Sequence, residues 1–138
     1  MTYANMATDI WTVLSVYKQR NELLQKMQKH QIVIAKSGTG SGKTVIFPKL
    51  ALHVGGYKKK VLCAIPKQLI TKKSAQFAAK TLDVELGKEV GYFFKADSRN
   101  RCNRTMLTFT TTGSVNAIIN GDPTLSEYDY LVIDCLLY

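Results

Sequence analysis

The stretch Ile32-Val33-Ile34-Ala35-Lys36-Ser37-Gly38-Thr39-Gly40-Ser41-Gly42-Lys43-Thr44 decides the fold. Its apolar start reads as a buried strand over Gln31–Lys36, and a helix-like pattern follows from Val45 to Val54. Strand, glycine-rich turn and helix form the context in which Gly-Lys-Thr becomes a phosphate-binding loop. The glycines allow successive N–H groups to turn toward a phosphate chain. The helix beginning near Gly42 adds the positive end of its dipole at the same spot. Lys43 is placed to reach the terminal phosphates, and the Thr44 hydroxyl to hold a magnesium ion. The full pattern has glycine where this chain has Ser37. Serine is small, so the loop is expected to survive with less backbone freedom. The other reading is a chance Gly/Ser-rich turn, which the strand–loop–helix context argues against.

Around this loop the chain has 138 residues, enough for one domain with a real core. Apolar residues make up 46% and charged residues 21%, the balance of an ordinary globular domain. No apolar run approaches the roughly 20 residues needed to span a bilayer. Residues Met1 to Trp11 lack the basic start and apolar stretch of a secretory signal. Cys63, Cys102 and Cys135 are few and scattered, which argues against a disulfide framework or zinc site. An intracellular location, cytoplasm or nucleus, is expected, with no membrane partner. The net charge of +9 favours a polyanionic partner, nucleic acid foremost.

Residues 1–13 have no clear pattern and read as an arm, leaving 14–138 as the folded unit. Ser15 is expected to cap a helix from about Val16 to Lys29. Pro48 is expected to kink the helix after the loop or end it early, and Gly55-Gly56 to stop it. Val61–Ile65 reads as a second buried strand ended by Pro66, and Gln68 to Leu82 as an amphipathic helix. Glu89–Phe94 and Thr105–Thr110 read as strands, Asp97–Arg104 as a polar loop, and Gly113–Asn120 as a short helix. A turn at Gly121-Asp122-Pro123 leads to a last buried strand, Tyr130–Ile133. Strands alternating with helices imply an α/β fold with a mostly parallel sheet covered on both faces. Ligands then gather at the carboxyl ends of the strands. The phosphate loop, Pro66-Lys67 and Asp134 all fall there. A carboxylate such as Asp134 at a strand end can hold magnesium in a phosphate-loop enzyme, although a strand-terminal aspartate is also a common turn residue.

At this point the chain resembles the DEAH-box helicases of superfamily 2, viral relatives included. Ser37–Thr44 looks like their motif I, and Ala64-Ile65-Pro66-Lys67-Gln68 stands where they carry motif Ia. Val90-Gly91-Tyr92 resembles their Val-Gly-Tyr, and Thr111-Thr112-Gly113 the Thr-Asp-Gly of motif Ib. Asp122-Pro123-Thr124-Leu125, Tyr128 and Leu131-Val132-Ile133-Asp134 resemble the approach to motif II. The order of five segments is more specific than any one of them. The resemblance implies a RecA-like NTPase domain that uses ATP and Mg2+ and follows single-stranded RNA or DNA. It implies Ser37, Gly38, Thr39, Gly40, Ser41, Gly42, Lys43 and Thr44 for nucleotide, Lys43 and Asp134 for catalysis, and Thr44 and Asp134 for metal. Pro66, Lys67, Gln68, Thr111, Thr112 and Gly113 are implied for the sugar–phosphate backbone. Lys67 keeps the charge of a family arginine but not its bidentate geometry. Gln68 loses a charge, and Thr112 replaces an aspartate. For Thr110, a backbone contact and plain β-propensity weigh about equally.

Motif II continues Asp-Glu-x-His in the resembled family, whereas Asp134 here is followed by Cys135-Leu136-Leu137-Tyr138. Cysteine carries no carboxylate with which to activate water. The chain is therefore expected to be a domain incomplete at its C-terminus, with the last strand's face uncovered for want of a following helix. It is expected to bind Mg-nucleotide weakly and to hydrolyse it negligibly. Two other readings stand beside a nucleic-acid-dependent NTPase. One is a non-catalytic binding fragment. The other is a phosphate-loop kinase with Arg99–Arg104 as its lid. Arg99, Arg101 and Arg104, near Lys95, read more readily as a solvated loop than as a strand-binding path.

Overall fold

The computed structural model describes residues 13–38 and 41–134. The proposed arm thus lies almost wholly outside the described residues, as do Thr39, Gly40 and the tail 135–138. The elements in chain order are α1 Ser15–Lys18, α2 Arg20–Lys29, α3 Lys43–Val54, β1 Val61–Ile65 and α4 Gln68–Thr81. There follow β2 Val90–Phe94, β3 Asp97–Asn100, β4 Leu107–Thr111, α5 Thr112–Gly121 and β5 Tyr130–Ile133. Among the described residues the strands form one sheet in the order β3-β2-β4-β1-β5. All neighbours run parallel except β3, which is antiparallel to β2.

The interior strands β1, β2 and β4 are covered on both faces, as their sequence pattern requires. Val61, Cys63 and Ile65 of β1 join Val90, Tyr92 and Phe94 of β2, and Leu107 and Phe109 of β4, in a core under α3 and α4. Leu62, Ala64 and Phe93 point the other way, against Val115 and Ile118 of α5. Period-two alternation thus feeds two cores, and β1 reads as a continuous apolar run because neither face meets water. In β4 the alternating threonines do not face solvent. Thr110 is fully buried and donates to the Phe93 carbonyl at 2.8 Å, which satisfies its hydroxyl inside the sheet.

Several expectations are corrected. Gln31–Lys36 is not a strand: residues 32–38 have no regular structure, and Ile32 and Ile34 are 78% and 92% exposed. A strand needs a partner as well as an apolar run. Both edges of β1, β4 and β2 are already taken, and 31–36 joins neither remaining edge. Asp97–Asn100 is a strand rather than loop. It pairs along β2, and a Cβ on Gly91 would lie 2.5 Å from the Asn100 carbonyl oxygen, so that approach needs glycine. Its polar composition suits an edge. The helix expected over Val16–Lys29 is two helices broken at Gln19, and Leu14 rather than Ser15 occupies the first N-cap. Pro48 does not end α3, which runs on to Val54 before Gly55. Its missing N–H costs one hydrogen bond, and packing on a buried face holds the remaining turns. β5 is half exposed instead of buried. Tyr130 and Val132 pack on the α3 side, while Leu131 and Ile133 stand 39% and 58% exposed opposite Leu62 and Ala64 of β1.

Candidate nucleotide site and nucleic-acid edge

The loop before α3 is tied by its own polar groups. Gly42 is the N-cap in a left-handed conformation, φ +88°, and its carbonyl accepts from the N–H groups of Val45 and Ile46. A Cβ there would come within 2.6 Å of Leu14, so backbone sign and space both ask for glycine. Ser37 has no left-handed backbone, which explains why a side chain is tolerated there. Its hydroxyl meets that of Ser41 at 2.8 Å, and its carbonyl accepts from Lys43 Nζ at 2.8 Å. The serine therefore adds a tie across the loop. Ser41 is buried, and its carbonyl accepts from the Val16 N–H at 3.2 Å, which docks α1 beneath the loop.

Asp134 arrives at the same place from the far end of the chain. Its N–H donates to the Ala64 carbonyl at 2.9 Å, extending the β5–β1 ladder by one residue. Its carboxylate accepts a short hydrogen bond from the Thr44 hydroxyl. Burial, and then the charge of Asp134, push the Cys63 thiol far up, so this cysteine is an inert core residue. Two hard oxygen donors side by side suit a magnesium ion, which takes one or two protein ligands and completes its shell with phosphate and water. No group of three or more metal-ligating side chains occurs among the described residues. The donor set of Thr44 and Asp134 therefore fits the metal implied by the sequence.

The second candidate surface lies along the same sheet edge. Ile65 pairs with Thr111 in the β1–β4 register, so Pro66-Lys67-Gln68 and Thr112-Gly113 emerge side by side. Lys67 is the N-cap of α4 and is exposed. Thr111 is the N-cap of α5, its hydroxyl accepting from the Ser114 N–H at 3.2 Å and sharing a 2.9 Å bond with the Ser114 hydroxyl. Thr112 is half-buried, Gly113 is exposed, and a Cβ on Gly113 would meet nothing. Two helix N-termini thus open on one edge, and the Thr111 hydroxyl is spent on building one of them.

Arg99, Arg101 and Arg104 are all exposed, in line with a solvated surface segment, and two of them make surface contacts. Arg101 lies 3.8 Å over the Phe93 ring and donates to the Tyr128 hydroxyl at 3.1 Å. Arg104 pairs with Glu89. Lys49, on α3 five positions beyond Thr44, is a fully buried lysine that local pattern alone does not single out. The one hint is that it is a single cation inside the apolar stretch Val45–Leu52.

The sequence matches the DEAD/DEAH box helicase family over residues 17–134. A protein of Acanthamoeba polyphaga mimivirus described as an ATP-dependent RNA helicase is 35% identical over 126 residues, 91% of this chain and 18% of that protein. The ATP-dependent RNA helicase HrpA of Borreliella burgdorferi is 32% identical over 122 residues, 88% of this chain and 15% of its own length. The chain therefore spans less than a fifth of either relative. No helix among the described residues is long and apolar enough to cross a membrane. The fold, the Thr44–Asp134 contact beside a glycine-rich loop, and the match over 17–134 agree: this chain belongs to the DEAD/DEAH box helicases.

Proposed function

We propose that this chain is the ATP-binding leading part of a DEAH-type, nucleic-acid-dependent NTPase. The observation that carries the reading is the meeting of Thr44 with Asp134 beside Lys43. Residues Ser37 to Thr44 would wrap the nucleotide phosphates, with backbone N–H groups and the α3 dipole directed at them. Lys43 would exchange the Ser37 carbonyl for a phosphate oxygen. Thr44 and Asp134 would hold Mg2+, which when bound neutralises charge on the phosphates. The edge formed by Pro66, Lys67, Gln68, Thr111, Thr112 and Gly113 would take the backbone of single-stranded RNA or DNA. There Lys67 supplies charge, the α4 and α5 N-termini supply N–H donors, and Gly113 allows close approach. Such contacts read no bases, which suits movement along a strand.

Cys135 follows Asp134 where a water-activating glutamate would serve, so the chain is expected to bind Mg-nucleotide weakly and to hydrolyse it negligibly. The test is steady-state ATP hydrolysis with and without single-stranded RNA, beside equilibrium binding of a fluorescent ATP analogue, for the chain and Lys43→Ala. Binding that Lys43→Ala removes, with no RNA-stimulated turnover above that control, supports the reading. RNA-stimulated turnover that Lys43→Ala abolishes would overturn the inactive part of it. Absence of nucleotide binding would overturn it whole.

A further inference from the structure

The outer face of α4 is one-sided in charge. Leu69, Lys72, Lys73, Gln76 and Lys80 are all exposed. Counted from Leu69 the others follow at i+3, i+4, i+7 and i+11, so they form one stripe along the helix. Thr71, Ala75, Ala78 and Ala79 occupy the opposite side, buried against the sheet. No acidic residue lies on α4, and the first one after it is Asp83, beyond the Leu82 C-cap. Elsewhere Lys26, Lys59, Lys88 and Arg104 each pair with a carboxylate, but no ion pair among the described residues uses Lys72, Lys73 or Lys80.

The helix itself gains little from this placement. Lys67 at the N-cap meets the positive end of the dipole, and Lys72 and Lys73 stand on the next turn with no acid among them. Only Lys80 lies at the end where the dipole favours a cation. The stripe is also broad. Lys72 Nζ stands 6.0 Å from the centroid of the Tyr92 ring on β2, while Lys73 rims the cavity between α3 and α4. The acid nearest the β2 side is Asp97, and its carboxylate is already taken by the Tyr92 hydroxyl and the Asn100 amide. A surface of one sign with no acidic partner in the chain attracts a polyanion. It is continuous with the Lys67–Gly113 edge, because Lys67 caps the same helix and Leu69 follows two positions later.

We propose that the exposed face of α4 is a second contact surface for the nucleic-acid backbone, taking the strand where it leaves the Lys67–Gly113 edge. The inference rests on the reading of that edge given above and extends it along the outside of the domain. Lys72, Lys73 and Lys80 pair with phosphates, Gln76 donates to phosphate or ribose oxygens, and Leu69 packs against a sugar. At a rise of about 1.5 Å per residue the stripe from Leu69 to Lys80 is roughly 16 Å long. That is the length of about five nucleotides at a spacing of about 3.4 Å. Lysines act there as point charges and read no bases, so the surface adds affinity and leaves sequence preference unaltered.

The test is fluorescence anisotropy on the whole 138-residue chain with oligouridylate and oligothymidylate of about 16 nucleotides, over a series of salt concentrations. One variant carries Lys72→Gln, Lys73→Gln and Lys80→Gln together. A control with the same loss of charge carries Lys18→Gln, Lys29→Gln and Lys58→Gln, all exposed and outside α4. The α4 variant is expected to bind severalfold more weakly, and its slope of log K against log salt to fall by roughly two, at about 0.7 per phosphate. The control should keep the parent slope. Equal losses in both variants would trace the effect to net charge and overturn the proposal. An unaffected α4 variant, with Lys67→Gln still weakening binding, would overturn the α4 surface and leave the edge standing. A parent that binds neither strand would overturn both. Unchanged strand binding with weakened binding to phosphatidylserine vesicles would assign the face to an anionic membrane and overturn the proposal. A further readout needs no variant to fold. Bound oligouridylate should shield Lys72, Lys73 and Lys80 from acetylation, read by peptide mass spectrometry, severalfold more than Lys18, Lys29 and Lys58. Equal shielding would overturn the assignment.

Discussion

The Thr44 hydroxyl donates a hydrogen bond to the Asp134 carboxylate across 90 positions of sequence. The contact joins the first turn of α3 to the end of β5, and the Ala64 carbonyl holds the Asp134 backbone in register. Asp134→Asn keeps an acceptor for Thr44 and removes the negative charge. Affinity for a fluorescent ATP analogue in magnesium is then expected to fall roughly tenfold, about 1.4 kcal/mol. Affinity in EDTA should stay unchanged. An equal loss in both buffers would mean that Asp134 acts on the loop's shape rather than on the metal.

Gly42→Ala should damage the loop through its backbone. The residue sits at φ +88°, and its new Cβ would press on the Leu14 side chain at 2.6 Å. Leu14 can shift, but the left-handed conformation still costs about 1–2 kcal/mol. Thermal melting should show a drop of several degrees, while Gly38→Ala, whose Cβ would meet nothing, should melt close to the parent. Equal melting of the two variants would remove the argument.

Lys49 predicts a pH dependence of stability with a definite sign. Its folded pKa of about 7 lies below the ordinary 10.5, so between these values the unfolded chain binds more protons than the folded one. Stability therefore rises with pH from about 7 to 10.5. Below about 7 both states are protonated and the burial cost is present in full. Lys49→Met should remove this slope and stabilise the fold at pH 7 by about 2–4 kcal/mol. Urea titrations at pH 7 and pH 9 would measure both effects. A variant less stable than the parent at pH 7 would show that the Thr81 bond outweighs desolvation.

Leu131 and Ile133 leave apolar area on the α5 side of the edge strand. The double variant Leu131→Thr, Ile133→Thr places β-branched side chains suited to a strand at both positions. It should lower self-association in light scattering while moving the melting temperature by only a few degrees. Unaltered association would point to Ile32 and Ile34 as the sticky surface instead, both being more exposed.

Thr111→Val tests a single cap. The substitution deletes the oxygen that accepts from the Ser114 N–H and should cost about 1 kcal/mol in denaturant titration, with Thr111→Ser close to the parent. A neutral Thr111→Val would mean that water replaces the cap.

The interior strands were legible because each carries its signal in its own residues. Val61–Ile65 is continuously apolar and ends at Pro66, and the structure keeps those bounds. The helix after Lys67 and the strand at Val90–Phe94 likewise follow from local periodicity and breakers. The edge elements were not legible in this way. Asp97–Asn100 has no strand composition and exists because β2 offers it an open edge. Ile32-Val33-Ile34 has strand composition and remains unpaired, because its own residues cannot say whether an edge lies within reach.

By itself the sequence determined the alternation that makes a two-faced parallel sheet, and the family. Each of these is written in neighbouring residues whose backbone preferences and apolar spacing act over a few positions. Only the tertiary structure decided that Thr44 meets Asp134, that Lys67 and Gly113 share an edge, and that Lys49 loses its solvent. These are matters of register and packing between distant segments, set by which strand edges and helix faces are left open once the whole sheet has formed.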